Sequence, residues 1–150
     1  MKRAGHILVA EDDPTDAFFF ERAFKRAGIP VKLKFVKDGQ AVVDYLERAT
    51  QGNERPLPEL VLLDLSMPRL NGFEVLEWIR KQRRLKNLMV VIFSSSNKPK
   101  DMKRAYDLGA HSYLVKPHSV EGLMALVAEF KKAWADGNME NVKQPKARTS

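Results

Sequence analysis

Four short stretches of the chain end in residues able to do chemistry. "HILVAEDD" closes on three acids, Glu11, Asp12 and Asp13, and "LVLLDL" carries Asp64 inside an otherwise apolar run. "VVIFSSS" closes on Ser94, Ser95 and Ser96, and "SYLVK" closes on Lys116. A carboxylate in apolar surroundings is costly unless something pairs with it. Two or three carboxylates brought together repel one another unless a cation joins them. An all-oxygen cluster without Cys or His suits Mg²⁺ or Mn²⁺, which keep several waters and use few protein ligands. Such a cation also holds a phosphoryl group. A lysine then pairs with one phosphoryl oxygen, a serine hydrogen-bonds another, and an aspartate serves as the nucleophile of an acyl phosphate. Each residue taken alone has a plainer reading: Asp at a strand end caps a helix, Lys after a strand is solvated, and a Ser run forms a turn. The coincidence at the same end of several strands favours the chemical reading.

That coincidence depends on the elements that carry the residues. "HILVA" (6–10), "LVLLDL" (60–65) and "LMVVIF" (88–93) are continuous apolar runs, the pattern of strands buried on both faces. "VKLKFV" (31–36) alternates, with Val31, Leu33 and Phe35 on one side, and reads as an edge strand; "SYLVK" is a short fifth strand. Helical spacing fills the intervals. Asp13 is a candidate N-cap before Pro14, and Ala17, Phe20, Phe24 and Ala27 recur on one face up to Gly28. "GQAVVDYLERA", "NGFEVLEWIRKQRRL" and "KPKDMKRAYDLG" follow as helices. "SVEGLMALVAEFKKAWA" is the last, with Val120, Leu123, Leu126, Val127, Phe130 and Trp134 as its apolar stripe. "TQGNERPLPE" (50–59) is a polar loop. Strands alternating with helices predict an α/β fold: a doubly wound, five-stranded parallel sheet with five helices. One domain over 5–135 and a flexible C-terminal tail over 136–150 are expected. In such sheets ligands bind beyond the carboxyl ends of the strands, where Glu11, Asp12, Asp64, Ser94 and Lys116 all fall.

Composition narrows the class. The chain has 150 residues, 44% hydrophobic and 30% charged, which suits one ordinary globular domain. No apolar run approaches the roughly 20 residues of a membrane span, and no cysteine is present for a disulfide framework or thiolate site. A cytoplasmic protein is expected. The net charge of +7 favours anionic partners, an acidic protein face or a polyanion. Basic residues cluster in "RKQRRLK" (80–86) and "KPKDMKR" (98–104), but cations also suit helix C-termini, and 80–86 reads as a solvated helix end. Few aromatics interleave there, so a nucleic-acid partner is not expected.

The motifs together resemble the response-regulator receiver domain of two-component signalling. "ILVAEDDP" resembles its acidic first-strand motif, and "LVLLDLSMPRLNG" its phosphoacceptor motif of aspartate, x-x-Met-Pro and Asp/Asn-Gly. "VVIFSSS" resembles its fourth-strand hydroxyl motif, and "GAHSYLVKP" its fifth-strand motif. The resemblance covers residues 5 to about 135 and implies the flavodoxin-like receiver fold. It implies that Asp64 accepts a phosphoryl group. It also implies that Glu11, Asp12, Asp64 and the backbone carbonyl of Ser66 hold Mg²⁺, with Mn²⁺ as an alternative. Ser94 would hydrogen-bond the phosphoryl group and Lys116 would pair with it. Tyr113 would be the switching aromatic, turning inward as Ser94 moves, and Pro117 would follow a cis peptide bond. The acidic run leaves the register among Glu11, Asp12 and Asp13 open; aligning it on the family pattern selects Glu11 and Asp12, with Asp13 as the helix cap. Ser66 and Ser96, both small, would not strongly shield the phosphoryl group from water.

The implied partners are a sensor histidine kinase or phosphotransfer protein as donor and a downstream protein target. No output domain is expected after residue 135. A stand-alone receiver is therefore implied, closest in look to phytochrome-associated regulators, with a homodimer through the fourth helix, fifth strand and fifth helix. It would catalyse only its own phosphorylation and dephosphorylation. Three other readings stand beside it: an unphosphorylated binding module, a Mg²⁺-dependent phosphatase with an aspartyl-phosphate intermediate, and a basic nucleic-acid binder. Phosphatases of that kind carry a D-x-D nucleophile motif and a covering cap, whereas Leu65 and Ser66 follow Asp64 here.

Overall fold

The computed structural model describes residues 5–51, 56–138 and 142–145. The chain runs β1 (His6–Ala10), α1 (Pro14–Arg26), β2 (Lys32–Val36), α2 (Gly39–Gln51), β3 (Leu60–Leu63) and α3 (Gly72–Lys81). A 3-10 turn at Arg83–Leu85 leads to β4 (Met89–Ser94), α4 (Pro99–Asp107), β5 (Ser112–Val115) and α5 (Val120–Ala135). The five strands are all parallel, in the order β2-β1-β3-β4-β5. This is the doubly wound sheet that the alternating pattern predicts.

The continuous apolar runs become the central strands because helices cover both faces. Leu8, Ala10, Val61, Leu63, Val90 and Ile92 pack with Val42, Leu46, Val75, Leu76 and Ile79 of α2 and α3. Their neighbours Ile7, Val9, Leu60, Leu62, Val91 and Leu114 pack with Phe20, Phe24, Leu126, Val127 and Phe130 of α1 and α5. Phe20 anchors that second layer, with ring centroids 5.5 Å from Phe93 and 6.2 Å from Phe130. Each fully buried large side chain of this kind contributes about 1.5–3 kcal/mol. β2 and β5 are the two edges.

Local signals set the helix ends. Asp13 caps α1, accepting from the N–H groups of Thr15 and Asp16, with Pro14 at the first helical position. Asn71 and Glu74 form a reciprocal capping box at α3. No helix among the described residues is long and apolar enough to cross a membrane.

Several expectations are corrected. α2 continues to Gln51, into the expected loop, of which 52–55 lie outside the described residues. β3 stops at Leu63, before Asp64. Val120 is 61% exposed and not part of the buried stripe of α5, because it sits at the helix start beyond the sheet. No cis peptide bond occurs among the described residues, so the bond before Pro117 is trans, the form the tertiary amide itself favours by about 0.5–1 kcal/mol. Within the segment expected as a flexible tail, residues 142–145 pack on β5: Val142 is buried and its carbonyl accepts from Ser112 Oγ at 2.8 Å. The tail positions 139–141 and 146–150 lie outside the described residues.

Candidate functional site

The strand order reverses between β1 and β3, so the crevice beyond their carboxyl ends is where the sheet opens to a ligand. Glu11 follows β1 directly, held by its N–H to the carbonyl of Val36 at 3.0 Å. Asp64 follows β3, its N–H donating to the carbonyl of Ala10 at 3.3 Å. The β-ladder thereby carries two carboxylates into the interior: Glu11 and Asp64 are 6% and 5% exposed, while Asp12 points to solvent. Carboxylate oxygens of Glu11, Asp12 and Asp64 lie within 4.8 Å of one another. The geometry thus selects the first two acids of the run for the cluster, and Asp13 is the helix cap.

Lys116 reaches the same point from the end of β5. Its Nζ lies 2.5 Å from Glu11 Oε1 and 2.8 Å from Asp64 Oδ2. Asp16, one turn into α1, makes a third contact at 3.3 Å. The sequence reading did not single out Asp16; its signal was the helix cap at Asp13, which turns the first turn of α1 toward the strand ends. Burial opposes the charge on Lys116, but its hydrogen bonds to Asp64 and Glu11 outweigh it and hold the ammonium above the usual lysine value. Burial pushes the Glu11 carboxyl up to about 7, against the pull of Lys116 and the Asp13 N–H, with the Asp64 charge adding to the rise. One lysine faces the carboxylates of Glu11, Asp16 and Asp64, so the site keeps net negative charge. Close, oxygen-only and two of the three buried, these carboxylates fit a hard divalent cation.

The loop after Asp64 is shaped around it. Ser66 N–H donates to Asp64 Oδ1 at 3.2 Å. Gly72 N–H returns to the carbonyl of Leu65 at 2.9 Å, and a Cβ on Gly72 would stand 2.4 Å from the carbonyl oxygen of Asp64. Only glycine allows that approach. Arg69, between them, holds a left-handed φ of 71°, an unusual conformation for a residue with a side chain.

Ser94 is buried at the end of β4, where its Oγ accepts from Ser96 N–H at 3.2 Å and its carbonyl from Lys116 N–H at 2.8 Å. Ser96 ties the strand to α4, its Oγ donating to Asp101 Oδ2 at 2.5 Å. Tyr113 is already inward: it is 7% exposed and its hydroxyl donates to the carbonyl of Ser96 at 2.9 Å. The expected inward turn starts here from a ring that is buried, because the Ser96 carbonyl offers it a partner. A cavity of about 270 Å³ opens beside Lys116, between Asp16 and Phe19 of α1 and His118 and Val120.

Known proteins resemble this chain in sequence and in fold. The model of the response regulator receiver domain matches residues 7–128. The probable methanogenesis regulatory protein FilR2 of Methanothrix harundinacea is 41% identical over 132 residues, 88% of this chain and 84% of that protein. Response regulator Rcp1 of Synechocystis is 30% identical over 130 residues, 87% of this chain and 88% of that protein. The solved Mn²⁺-bound form of Rcp1 superposes with a TM-score of 0.78, covering 95% of this chain and 99% of that one at 30% identity. The phosphorylated cyanobacterial phytochrome response regulator RcpA gives a TM-score of 0.81 at 28% identity, over 90% and 96% of the two chains.

Proposed function

The chain belongs to the response regulator receiver domain family, and we propose that it works as a phosphoacceptor switch whose acceptor is Asp64. The observation that carries this reading is the contact of Lys116 Nζ with buried Asp64 Oδ2 at 2.8 Å inside an acidic cluster. The donor is the phosphohistidine of a sensor histidine kinase or phosphotransfer protein. A carboxylate oxygen of Asp64 bonds to phosphorus as the phosphorus–nitrogen bond breaks. The leaving imidazole keeps the bonding electrons and is protonated by solvent. Lys116 pairs with a phosphoryl oxygen, and Ser94 donates its hydroxyl to another. Glu11, Asp12, Asp64 and the Ser66 carbonyl would hold Mg²⁺ or Mn²⁺. A cation bound there neutralises charge on the transferring group, the main catalytic requirement of phosphoryl transfer. The Mn²⁺-bound form of Rcp1 supports that assignment.

The output is a population shift. To meet the phosphoryl group, the Ser94 hydroxyl leaves its contact with Ser96 N–H. Ser96 in turn holds Asp101 of α4 and Tyr113 of β5, so the change passes to the surface of α4, β5 and α5. That surface meets a downstream protein or a second copy of the chain. The phosphorylated cyanobacterial phytochrome response regulator RcpA, among its structural relatives, supports phosphorylation as the signal.

The test is intact mass after incubation with acetyl phosphate and Mg²⁺. A single phosphoryl adduct is expected for the wild type, lost with EDTA and absent in Asp64→Asn. No adduct in the wild type under any condition, including the beryllofluoride mimic, returns the chain to an unphosphorylated binding module.

A further inference from the structure

β5 is an edge strand, paired only with β4, and an open edge leaves backbone donors and acceptors without partners. Here the chain itself supplies partners at Val115. After α5, residues 142–145 lie along the outer side of β5. Val142 is 2% exposed, and its carbonyl accepts from the buried hydroxyl of Ser112 at the start of the strand. At the other end of the strand the Gln144 amide grips Val115 twice. Val115 N–H donates to Gln144 Oε1 at 2.7 Å, and Gln144 Nε2 donates to the carbonyl of Val115 at 3.2 Å. A primary amide offering one acceptor and one donor in this way stands in for a peptide of a neighbouring strand.

The grip falls on the peptide unit that carries Lys116. The carbonyl of Val115 and the N–H of Lys116 belong to one planar group. Its oxygen is held from outside by Gln144, and its N–H is held from inside by the carbonyl of Ser94 at 2.8 Å. The Lys116 side chain leaves the backbone at that plane and ends on Glu11 and Asp64. We infer that Gln144 is a positioning residue for Lys116, so that the C-terminal segment and the acidic site are coupled through the Val115–Lys116 peptide. The coupling runs both ways: a segment that biases Lys116 is itself gripped differently once Lys116 changes partner. The placement of Lys116 is independent of chemistry at Asp64; the effect on phosphoryl transfer rests on the function proposed above.

The experiment uses the full chain with Gln144→Ala, Gln144→Glu and, as a control, Lys143→Ala at the exposed neighbour. Three quantities are read without and with acetyl phosphate and Mg²⁺. They are amide exchange at Val115, the nitrogen resonance of the Lys116 ammonium, and the rate of phosphoryl adduct formation by mass. Gln144→Ala should speed Val115 exchange about tenfold, move the Lys116 resonance and slow adduct formation about threefold, the scale of losing modest exposed hydrogen bonds. Gln144→Glu keeps the oxygen that accepts from Val115 but not the donor, and should fall between. Lys143→Ala should change nothing. Faster Val115 exchange with an unmoved Lys116 resonance overturns the inference, leaving only an edge cover, and so does unchanged exchange. A wild type that never takes a phosphoryl group defeats the proposed function instead, while the Lys116 resonance still decides the role of Gln144.

Discussion

The two ends of the sheet treat charge in opposite ways. At the amino end, before β4 and β5, Arg80 of α3 folds back among carbonyls. Its Nε and Nη2 donate to Gly109 at 3.0 and 2.7 Å, and Nη1 donates to Leu88 at 2.9 Å. His111 Nδ1 completes the group, accepting from Val90 N–H and facing Arg80 Nη2 at 3.3 Å. One cation ends among acceptors that suit it. At the carboxyl end Glu11 and Asp64 are buried together beside Asp12, and a single Lys116 serves them along with Asp16. Burial shifts the Arg80 guanidinium down and, with the Asp64 charge, the Glu11 carboxyl up, yet only the second end keeps negative charge in excess. The amino end is built for stability. The carboxyl end holds unresolved charge, which a fold keeps where a ligand or a reaction will resolve it.

The sharpest way to break this contrast is to remove Lys116. Lys116→Met leaves two buried carboxylates with no cation, and losing one partner of a buried pair costs about 3–5 kcal/mol. The urea midpoint in EDTA should fall accordingly, and millimolar Mg²⁺ should recover much of the loss by binding the folded state. Asp64→Asn should do the reverse. Removing one carboxylate from the cluster relieves repulsion, so the metal-free variant should match or exceed the wild type by about 1 kcal/mol while taking no phosphoryl group. A large loss of stability in Asp64→Asn would mean that the cluster is balanced after all.

Next in size is Arg80→Met. It keeps the aliphatic contact but strands the carbonyls of Gly109 and Leu88, a loss of about 2 kcal/mol. Denaturant midpoints with and without Mg²⁺ should show the same deficit, since Arg80 meets carbonyls and His111 rather than carboxylates. A deficit that Mg²⁺ removes would join the two ends into one electrostatic unit and end the comparison.

The sequence shows the two ends unequally. β1, β3 and β4 stand out because both of their faces are covered, which makes their strings unbroken apolar runs. The acidic cluster stands out because parallel strands deliver their last residues to one edge, so Glu11, Asp12, Asp64 and Lys116 can be brought together on paper. Arg80 is hidden in a basic run that looks like a solvated helix end; only the approach of Gly109 from a distant turn gives it acceptors. Gln144 is hidden for the same reason, in a polar segment with almost no apolar pattern to announce where it docks. Tyr113 can be named from its motif, but its starting position depends on the Ser96 carbonyl, which no pattern encodes. What the strings reveal is periodic burial; what they conceal is single side chains meeting backbone from far along the chain.

The smallest expected effect belongs to His6, which closes the amino end at the edge between β1 and α2. Its Nε2 meets Tyr45 Oη at 2.8 Å, and the rings pack edge to face with centroids 6.0 Å apart. Burial lowers its pKa below the usual 6.5, while Glu59 pulls the other way. A histidine depressed in the folded state contributes stability that is complete above about 6.5 and is lost as the pH falls toward its folded value, because the unfolded chain binds the proton first. The ring is only half-buried, so solvent screening holds the loss below about 1 kcal/mol. Between pH 7.5 and pH 5 in EDTA, the midpoint of the wild type should change less favourably than that of His6→Gln by this amount. Glu11 works in the opposite sense over an overlapping range, since a carboxyl raised to about 7 favours folding at the acid side. The difference between wild type and His6→Gln isolates the amino end, because Glu11 is common to both. An equal change with pH in the two proteins would mean that His6 contributes none of it.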